Sequence, residues 1–319
     1  MKRPPFISFV IETFTLMHDY EPGVPSEGSL VKVIEALRGL SYPAESMEII
    51  VVLDEQSEEL ASFLGAAYPD VKLCLMKGAE YFSMKTFGAQ SARGDILALL
   101  DSDCVPYPQW AQVAAGRINE GADLVAGKTR YRPQSLAART YGVFDFGHVQ
   151  GDSRSEANCF MANNAAIRRE LFLKHPFDAR ARRSGADYML ACELKAAGYR
   201  LLYEPALFAA HEYDIETMGF VIKRVRAGYD AVNVSRLDEA GVVGETRLSK
   251  AGPFAPFAFF LNRMFFDAAR FVRNRRDLGI PVYALGYFLC ASLLMRSIEL
   301  IAGLITLVSP RYFKDKYGW

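Results

Sequence analysis

At 319 residues, with 51% hydrophobic and 23% charged side chains, the chain can bury a large core and is neither disordered nor collagen-like. Lysine plus arginine equals aspartate plus glutamate at 37 each, so no overall positive field exists to hold phosphates, and no nucleic-acid partner is expected. The five cysteines, Cys74, Cys104, Cys159, Cys192 and Cys290, are scattered without CxxC or Cys/His metal spacing, which fits reduced cytosolic thiols and argues against zinc.

In chain order, the apolar run at 6–11 is too short for a signal-peptide core, lacks a small-residue cleavage site and reads as a first strand. Amphipathic segments at 30–40, 58–68 and 82–93 then alternate with apolar runs at 48–53, 71–76 and 96–100. This rhythm predicts a Rossmann-like α/β fold, a mostly parallel sheet with right-handed crossovers and helices on its faces. Ligands of such sheets bind beyond the carboxyl ends of the strands. Three of those ends are polar: Glu12 and Thr13, Asp54 and Glu55, and Asp101-Ser102-Asp103. Beyond 105, a helix at 108–119, a strand at 122–126, an irregular stretch to 158 and a helix at 185–197 are expected to form the other wall of a cleft. Asn233-Val234-Ser235 matches the N-glycosylation triplet, which arises often by chance and is discounted.

Asp101 and Asp103 follow an apolar strand, and alternate residues of an extended chain share a face. Mg²⁺ or Mn²⁺ takes one or two carboxylates plus diphosphate oxygens, so the pair is a candidate seat for a metal-bound nucleotide. An Asx turn opening the next helix would use the same residues. The haloacid-dehalogenase phosphatases also carry Asp-x-Asp, with the first aspartate as nucleophile, but that motif normally opens its domain and here it ends a fourth strand.

With their neighbours, these residues resemble glycosyltransferase family 2, a GT-A fold, over about 6–229. Ile7-Ser8-Phe9-Val10-Ile11-Glu12-Thr13-Phe14 is similar to the family's opening strand, and Glu48-Ile49-Ile50-Val51-Val52-Leu53-Asp54-Glu55-Gln56-Ser57 to its second strand and acidic turn. Lys85-Thr86-Phe87-Gly88-Ala89-Gln90-Ser91-Ala92-Arg93-Gly94-Asp95 resembles the basic helix before the Asp-x-Asp strand. Asn163-Asn164-Ala165-Ala166-Ile167-Arg168-Arg169, Phe177-Asp178, Gly185-Ala186-Asp187-Tyr188, Gly198-Tyr199-Arg200-Leu201-Leu202-Tyr203-Glu204-Pro205 and His211 complete the ordered set.

The resemblance implies that Thr13, Asp54 and Glu55 lie at the nucleobase of a UDP- or GDP-linked sugar, and that Lys85 meets donor phosphate or braces the base. Asp101 would face the ribose or metal, Asp103 the metal, and His211 would complete the metal or diphosphate site. Asp187 would be the general base of an inverting, metal-dependent transfer of hexosyltransferase type to an acceptor hydroxyl. The plainer readings are a solvated turn for Asp54 and Glu55, an exposed helix lysine, a structural histidine, and a helix N-cap for Asp187. Glu12 stands where the family has proline, Gln56 where it has glycine, and Ala186 where it has the first of two acids. These departures leave the donor open and keep a non-catalytic nucleotide-sugar-binding or scaffold protein of the same fold as the rival. Ile222-Lys223-Arg224-Val225-Arg226 is basic but lacks the Gln-x-x-Arg-Trp of processive synthases, which predicts transfer of a single sugar.

The composition changes at 253: six phenylalanines fall within 253–266, and 280–309 holds only two charges, Arg296 and Glu299. The expected division is a catalytic domain over 1–235, split near 105 into nucleotide and acceptor halves, and a membrane-associating helical tail over 236–319. Roughly 20 apolar residues suffice to cross a bilayer. Arg296 and Glu299, three apart on one helical face, would be costly in lipid unless paired or buried against another helix. Arg270, Arg273, Arg275 and Arg276 before the apolar run and Arg311, Lys314 and Lys316 after it select no orientation. An in-plane or re-entrant tail on the cytoplasmic face is expected, within reach of a lipid-linked acceptor of glycolipid or envelope polysaccharide synthesis. A buried helical extension or a homo-oligomer interface is the competing use of the same apolar residues.

Overall fold

The computed structural model describes residues 4–14, 27–78, 80–132, 135–147, 151–181, 185–212, 217–237 and 251–313. The first half runs β1 (Ile7–Glu12), α1 (Glu27–Arg38), β2 (Met47–Asp54), α2 (Glu58–Ala67), β3 (Lys72–Met76), α3 (Tyr81–Ser91), β4 (Ile96–Asp101), β5 (Cys104–Pro106) and α4 (Trp110–Asn119). The second runs β6 (Leu124–Tyr131), α5 (Leu136–Phe146), β7 (Ser155–Glu156), β8 (Asn164–Arg168), α6 (Arg169–Lys174), α7 (Ala186–Ala196), β9 (Leu201–His211), α8 (Thr217–Leu237), α9 (Ala255–Asn274) and α10 (Leu285–Val308).

The strands form one mixed sheet in the order β3-β2-β1-β4-β8-β6-β9-β5, with β7 beside β9. β3, β2, β1 and β4 are parallel, β8 is inserted antiparallel between β4 and β6, and β6 pairs parallel with β9. β1 and β4 are buried at every position because helices cover both faces. Alternation divides the sheet into two cores: Phe9, Val51 and Leu100 pack with Leu30 of α1, Leu64 of α2 and Trp110 of α4, while Val10, Val52 and Leu99 pack with Phe82 of α3 and Leu190 of α7. Each such Val, Leu or Phe contributes about 1.5–3 kcal/mol on burial.

Three elements depart from the sequence expectation. The stretch expected to be irregular contains α5, capped by Ser135 Oγ accepting from Ala138 N at 3.1 Å. Tyr141, Val143, Phe144 and Phe146 of this helix are buried on several sides, which erases the amphipathic stripe by which a helix is read. β9 extends through Pro205 because the register with β6 shifts between Gly127 and Lys128, and such an irregularity accommodates a proline that cannot donate to the ladder. α8 carries a weak stripe because one side lines a cavity with Lys223, Arg224, Arg226 and Asp230 while the other packs on α10.

α9 and α10 pack on each other and on α5 and α8 through Tyr141, Phe144, Phe220, Phe271 and Phe288. α8 and α10 approach so closely that a Cβ at Gly228 would lie 2.2 Å from the Glu299 carbonyl oxygen, so only glycine fits. The charges in the apolar helix are paired and buried. Arg296 donates to both Asp267 oxygens at 2.8 Å and to Glu299 at 2.6 Å, and Glu299 also accepts from Arg263 at 2.8 Å and Arg224 at 3.2 Å. Val282–Val308 is long and apolar enough to cross a membrane by length and composition, and is compatible with membrane association. Lys314 and Lys316 lie outside the described residues.

Candidate active site

Asp101 ends β4 and is held from α3. Tyr81 Oη donates to its Oδ1 at 2.8 Å and Lys85 Nζ at 2.7 Å, and Lys85 also donates to the Leu100 carbonyl at 2.8 Å. Tyr81 and Lys85 are four apart on one helix face, so both reach the same carboxylate. Lys85 is fully buried, not the exposed helix lysine of the plainer reading, and it braces Asp101. Burial, with Asp101 close by, pushes the Tyr81 phenol well above its ordinary value, so it remains a donor.

Asp103 follows in the tight turn between β4 and β5. Its Oδ1 accepts from the Cys104 thiol at 3.6 Å and lies 3.7 Å from His211 Nε2. Cys104 and His211 face each other across the pairing of β5 with β9, and the ligand atoms of Asp103, Cys104 and His211 all lie within 4.8 Å of one another. Burial first, then Asp103, raises the Cys104 thiol well above its ordinary value and keeps it neutral. The oxygen and nitrogen donors of Asp103 and His211 suit a Mg²⁺- or Mn²⁺-like ion. Their 3.7 Å separation is too long for a hydrogen bond and within the span of two metal bonds of about 2.1 Å each. Tyr131 and Phe146 rings lie 5.1 and 6.0 Å from the His211 ring and fix its position.

Asp187 sits in the first turn of α7, behind Gly185 in the left-handed region at φ 87°, where a Cβ would come within 2.4 Å of Val234 on α8. Its Oδ2 accepts from Ala162 N at 3.2 Å and its Oδ1 from Tyr188 N at 2.9 Å. Burial, reinforced by the charge of Asp101, outweighs these bonds and raises the carboxyl to about 6. An acid held near neutrality in a cleft suits proton transfer.

Asp101, Asp187 and His211 line one cavity of about 720 Å³ with Tyr81, Arg224, Arg263, Arg270 and Phe266. Asp103 lies behind His211. Asp54 and Glu55 stand at the end of β2 on the same carboxyl edge but do not line the cavity. Asp54 Oδ1 accepts from Gln56 N at 2.9 Å, an Asx turn, and Glu55 is exposed. The Thr13 hydroxyl is buried and donates to the Val52 carbonyl at 2.9 Å, tying β1 to β2. Sequence reasoning missed Tyr81, Cys104 and the arginines of α9. Tyr81 was detectable by its spacing from Lys85; Cys104 meets His211 only through the sheet.

Residues 25–175 match the family Glycosyl transferase family 2. Glycosyltransferase AglE of Haloferax volcanii is 25% identical over 248 residues, covering 73% of this chain and 75% of the relative. Glucosyl-dolichyl phosphate glucuronosyltransferase of the same organism is 24% identical over 247 residues, covering 70% and 75%. The mannosyltransferase PcManGT from Pyrobaculum calidifontis, solved with GDP-Man and Mn²⁺, shares the fold with a TM-score of 0.63 at 16% identity, over 97% of this chain and 88% of that one. GalNAc-T7, solved with UDP, GalNAc and Mn²⁺, superposes with a TM-score of 0.52 at 15% identity over 68% of this chain and 45% of that one.

Proposed function

We propose that this chain, a family 2 glycosyltransferase with the GT-A fold, moves one sugar with inversion from a nucleoside-diphosphate donor to a hydroxyl of a lipid-linked acceptor at a membrane surface. The observation that carries the reading is the meeting of Asp101, Asp187 and His211 in one cavity, with Asp103 beside His211.

Asp187 accepts the proton of the acceptor hydroxyl as that oxygen attacks the anomeric carbon, and a carboxyl raised to about 6 is ionised and ready to do so near neutral pH. Asp101, fixed by Lys85 and Tyr81, presents its carboxylate toward the donor ribose. Asp103 and His211 would hold a divalent ion, Mn²⁺ or Mg²⁺, which supplies neutralising charge for the leaving diphosphate. Asp54 and Glu55, at the carboxyl end of β2 outside the cavity lining, are assigned to the nucleobase, whose imide or amide N–H groups their carboxylates can accept. The exposed apolar residues of α9 and α10 support a lipid surface as the place of work, the division of labour expected for a catalytic domain over 1–235 and a tail over 236–319.

The test is sugar transfer from a panel of UDP-, GDP- and dTDP-sugars to isoprenyl-phosphate-linked acceptors with Mn²⁺ present. Asp187→Asn should reduce transfer by about 10²–10⁴-fold with donor affinity retained. Full activity in that variant would end the reading, and donor binding without any turnover in the wild type would favour a non-catalytic binding protein.

A further inference from the structure

A second cavity, of about 240 Å³, shares only Tyr131 with the active-site cavity among the described residues. It lies where β6 and α5 meet the connection between α9 and α10 at 275–284: Arg130 comes from the strand, Arg139 from α5, and Asp277, Leu278 and Gly279 from the connection.

Its charges do not balance. Asp277 is the one carboxylate in the lining among the described residues, and Lys128 and Arg130 both pair with it. Burial would raise Asp277, but the bonds from Arg130 and Lys128 outweigh it and hold the group below its ordinary value, so it supplies one full negative charge. Arg139 meets only carbonyls: its Nη1 donates to Gly279 at 2.6 Å and to Leu278 at 3.4 Å. Three cations thus stand against one anion, and the Nε atoms of Arg130 and Arg139 are buried with no hydrogen-bond partner. A buried donor left without an acceptor is costly, and a phosphate oxygen would supply one through a charge-assisted bond.

The rim carries the same sign. Arg273 near the end of α9 and Arg276 just beyond it are exposed and make no ion pair among the described residues. Burial pushes the Tyr203 phenol up to about 12, and Asp277, Arg130 and Arg273 all act on it, so Arg273 belongs to the same cluster. Along the chain from these cations the surface turns apolar: Val272, Val282 and Tyr283 are exposed, Tyr283 at 87%, and no charged side chain of α10 is exposed. A soluble phosphate would account for the cations but not for their apolar neighbours. Cations beside exposed valine and tyrosine are the composition that draws a chain to an anionic bilayer.

We propose that this cavity seats the phosphate of an anionic lipid headgroup, with Arg130 and Arg139 as its donors, Arg273 and Arg276 on surrounding headgroups, and Val282 and Tyr283 entering the acyl boundary. Guanidinium forks match phosphate oxygens in pairs, which a cluster of lysines would not do. The inference rests on the membrane-surface part of the proposed function and adds the lipid chemistry that selects the surface; it makes no use of sugar transfer.

The experiment is flotation of the full chain with vesicles of phosphatidylcholine alone or of phosphatidylcholine mixed with phosphatidylglycerol. Binding to the mixed vesicles should be tighter by at least about tenfold, and inorganic phosphate equal in concentration to the headgroups should not release the chain. Arg130→Gln should weaken binding to the mixed vesicles by about fivefold and leave binding to phosphatidylcholine unchanged, as expected for one cation lost from an anionic surface. Asp277 keeps Lys128 in that variant, so folding is retained, as thermal unfolding would register. Arg139→Gln repeats the test, and if loss of its carbonyl bonds unfolds it, Arg130→Gln alone decides. Lys174→Gln removes an exposed charge on α6 and should change nothing. Wild-type binding in Arg130→Gln, an equal loss in Lys174→Gln, or release by inorganic phosphate would each overturn the proposal. Equal binding to both kinds of vesicle would end this site and leave the membrane-surface reading standing, whereas a chain that prefers the mixed vesicles through Arg130 yet transfers no sugar would sink the enzymatic reading alone.

Discussion

The carboxyl edge of the parallel strands and the wall built by α8, α9 and α10 enclose the same cavity, but they hold their charges differently. At the strand edge, Lys85 and Asp101 are 16 residues apart, on a helix and the strand that follows it. In the wall, Arg224 reaches Asp145 across 79 residues and Glu299 across 75, and Arg296 reaches Asp267 across 29. The first arrangement is local and uses one buried pair beside an aromatic hydroxyl. The second is a network in which removing one member leaves several others exposed to a low-dielectric interior. Local pairs set the geometry of the strand edge, while the network fixes α9 and α10 against α5 and α8.

Breaking the network should therefore have the larger effect on stability. Arg296→Met leaves Asp267 and Glu299 without their shared partner and should cost about 3–5 kcal/mol in chemical unfolding. A change below about 1 kcal/mol for Arg296→Met would mean that the network does not hold the tail. At the strand edge, Lys85→Met should cost less, about 2–3 kcal/mol, because the Tyr81 hydroxyl still donates to Asp101. That substitution should also weaken donor binding, which calorimetry with nucleoside diphosphate and Mn²⁺ would measure, whereas Arg296→Met should not. Equal donor affinities in Lys85→Met and wild type would break the contrast.

The same distinction explains what the sequence revealed. β1, β2 and β4 were legible because strands buried on both faces are short continuous apolar runs ending in polar turns, and Asp101 and Asp103 stood at such an end, whereas Asp187, in the first turn of α7, was reached only through the family resemblance of Gly185-Ala186-Asp187-Tyr188. The helices of the first half were legible because they bury one side only. α5 was hidden because it is buried on several sides, and β8 because Asn164 and Arg168 bracket three apolar residues too few to read as a strand. Cys104 shows no metal spacing in sequence because its neighbour His211 arrives from 107 residues away through the pairing of β5 with β9. Arg296 and Glu299 announced a need for partners, but only the packing of α8 and α9 on α10 supplies them, and no local spacing encodes Arg224 or Arg263.

The proposed transfer turns on Asp187 acting as a base in a buried setting beside the charge of Asp101. The pH dependence of kcat/KM for sugar transfer reports the ionisation of the free enzyme. Because the carboxyl is raised from 3.8 to about 6 and acts when ionised, the rate should fall as pH drops through about 6, and that acid limb should be missing from the residual activity of Asp187→Asn. An acid limb near 4, or the same limb in wild type and Asp187→Asn, would contradict it.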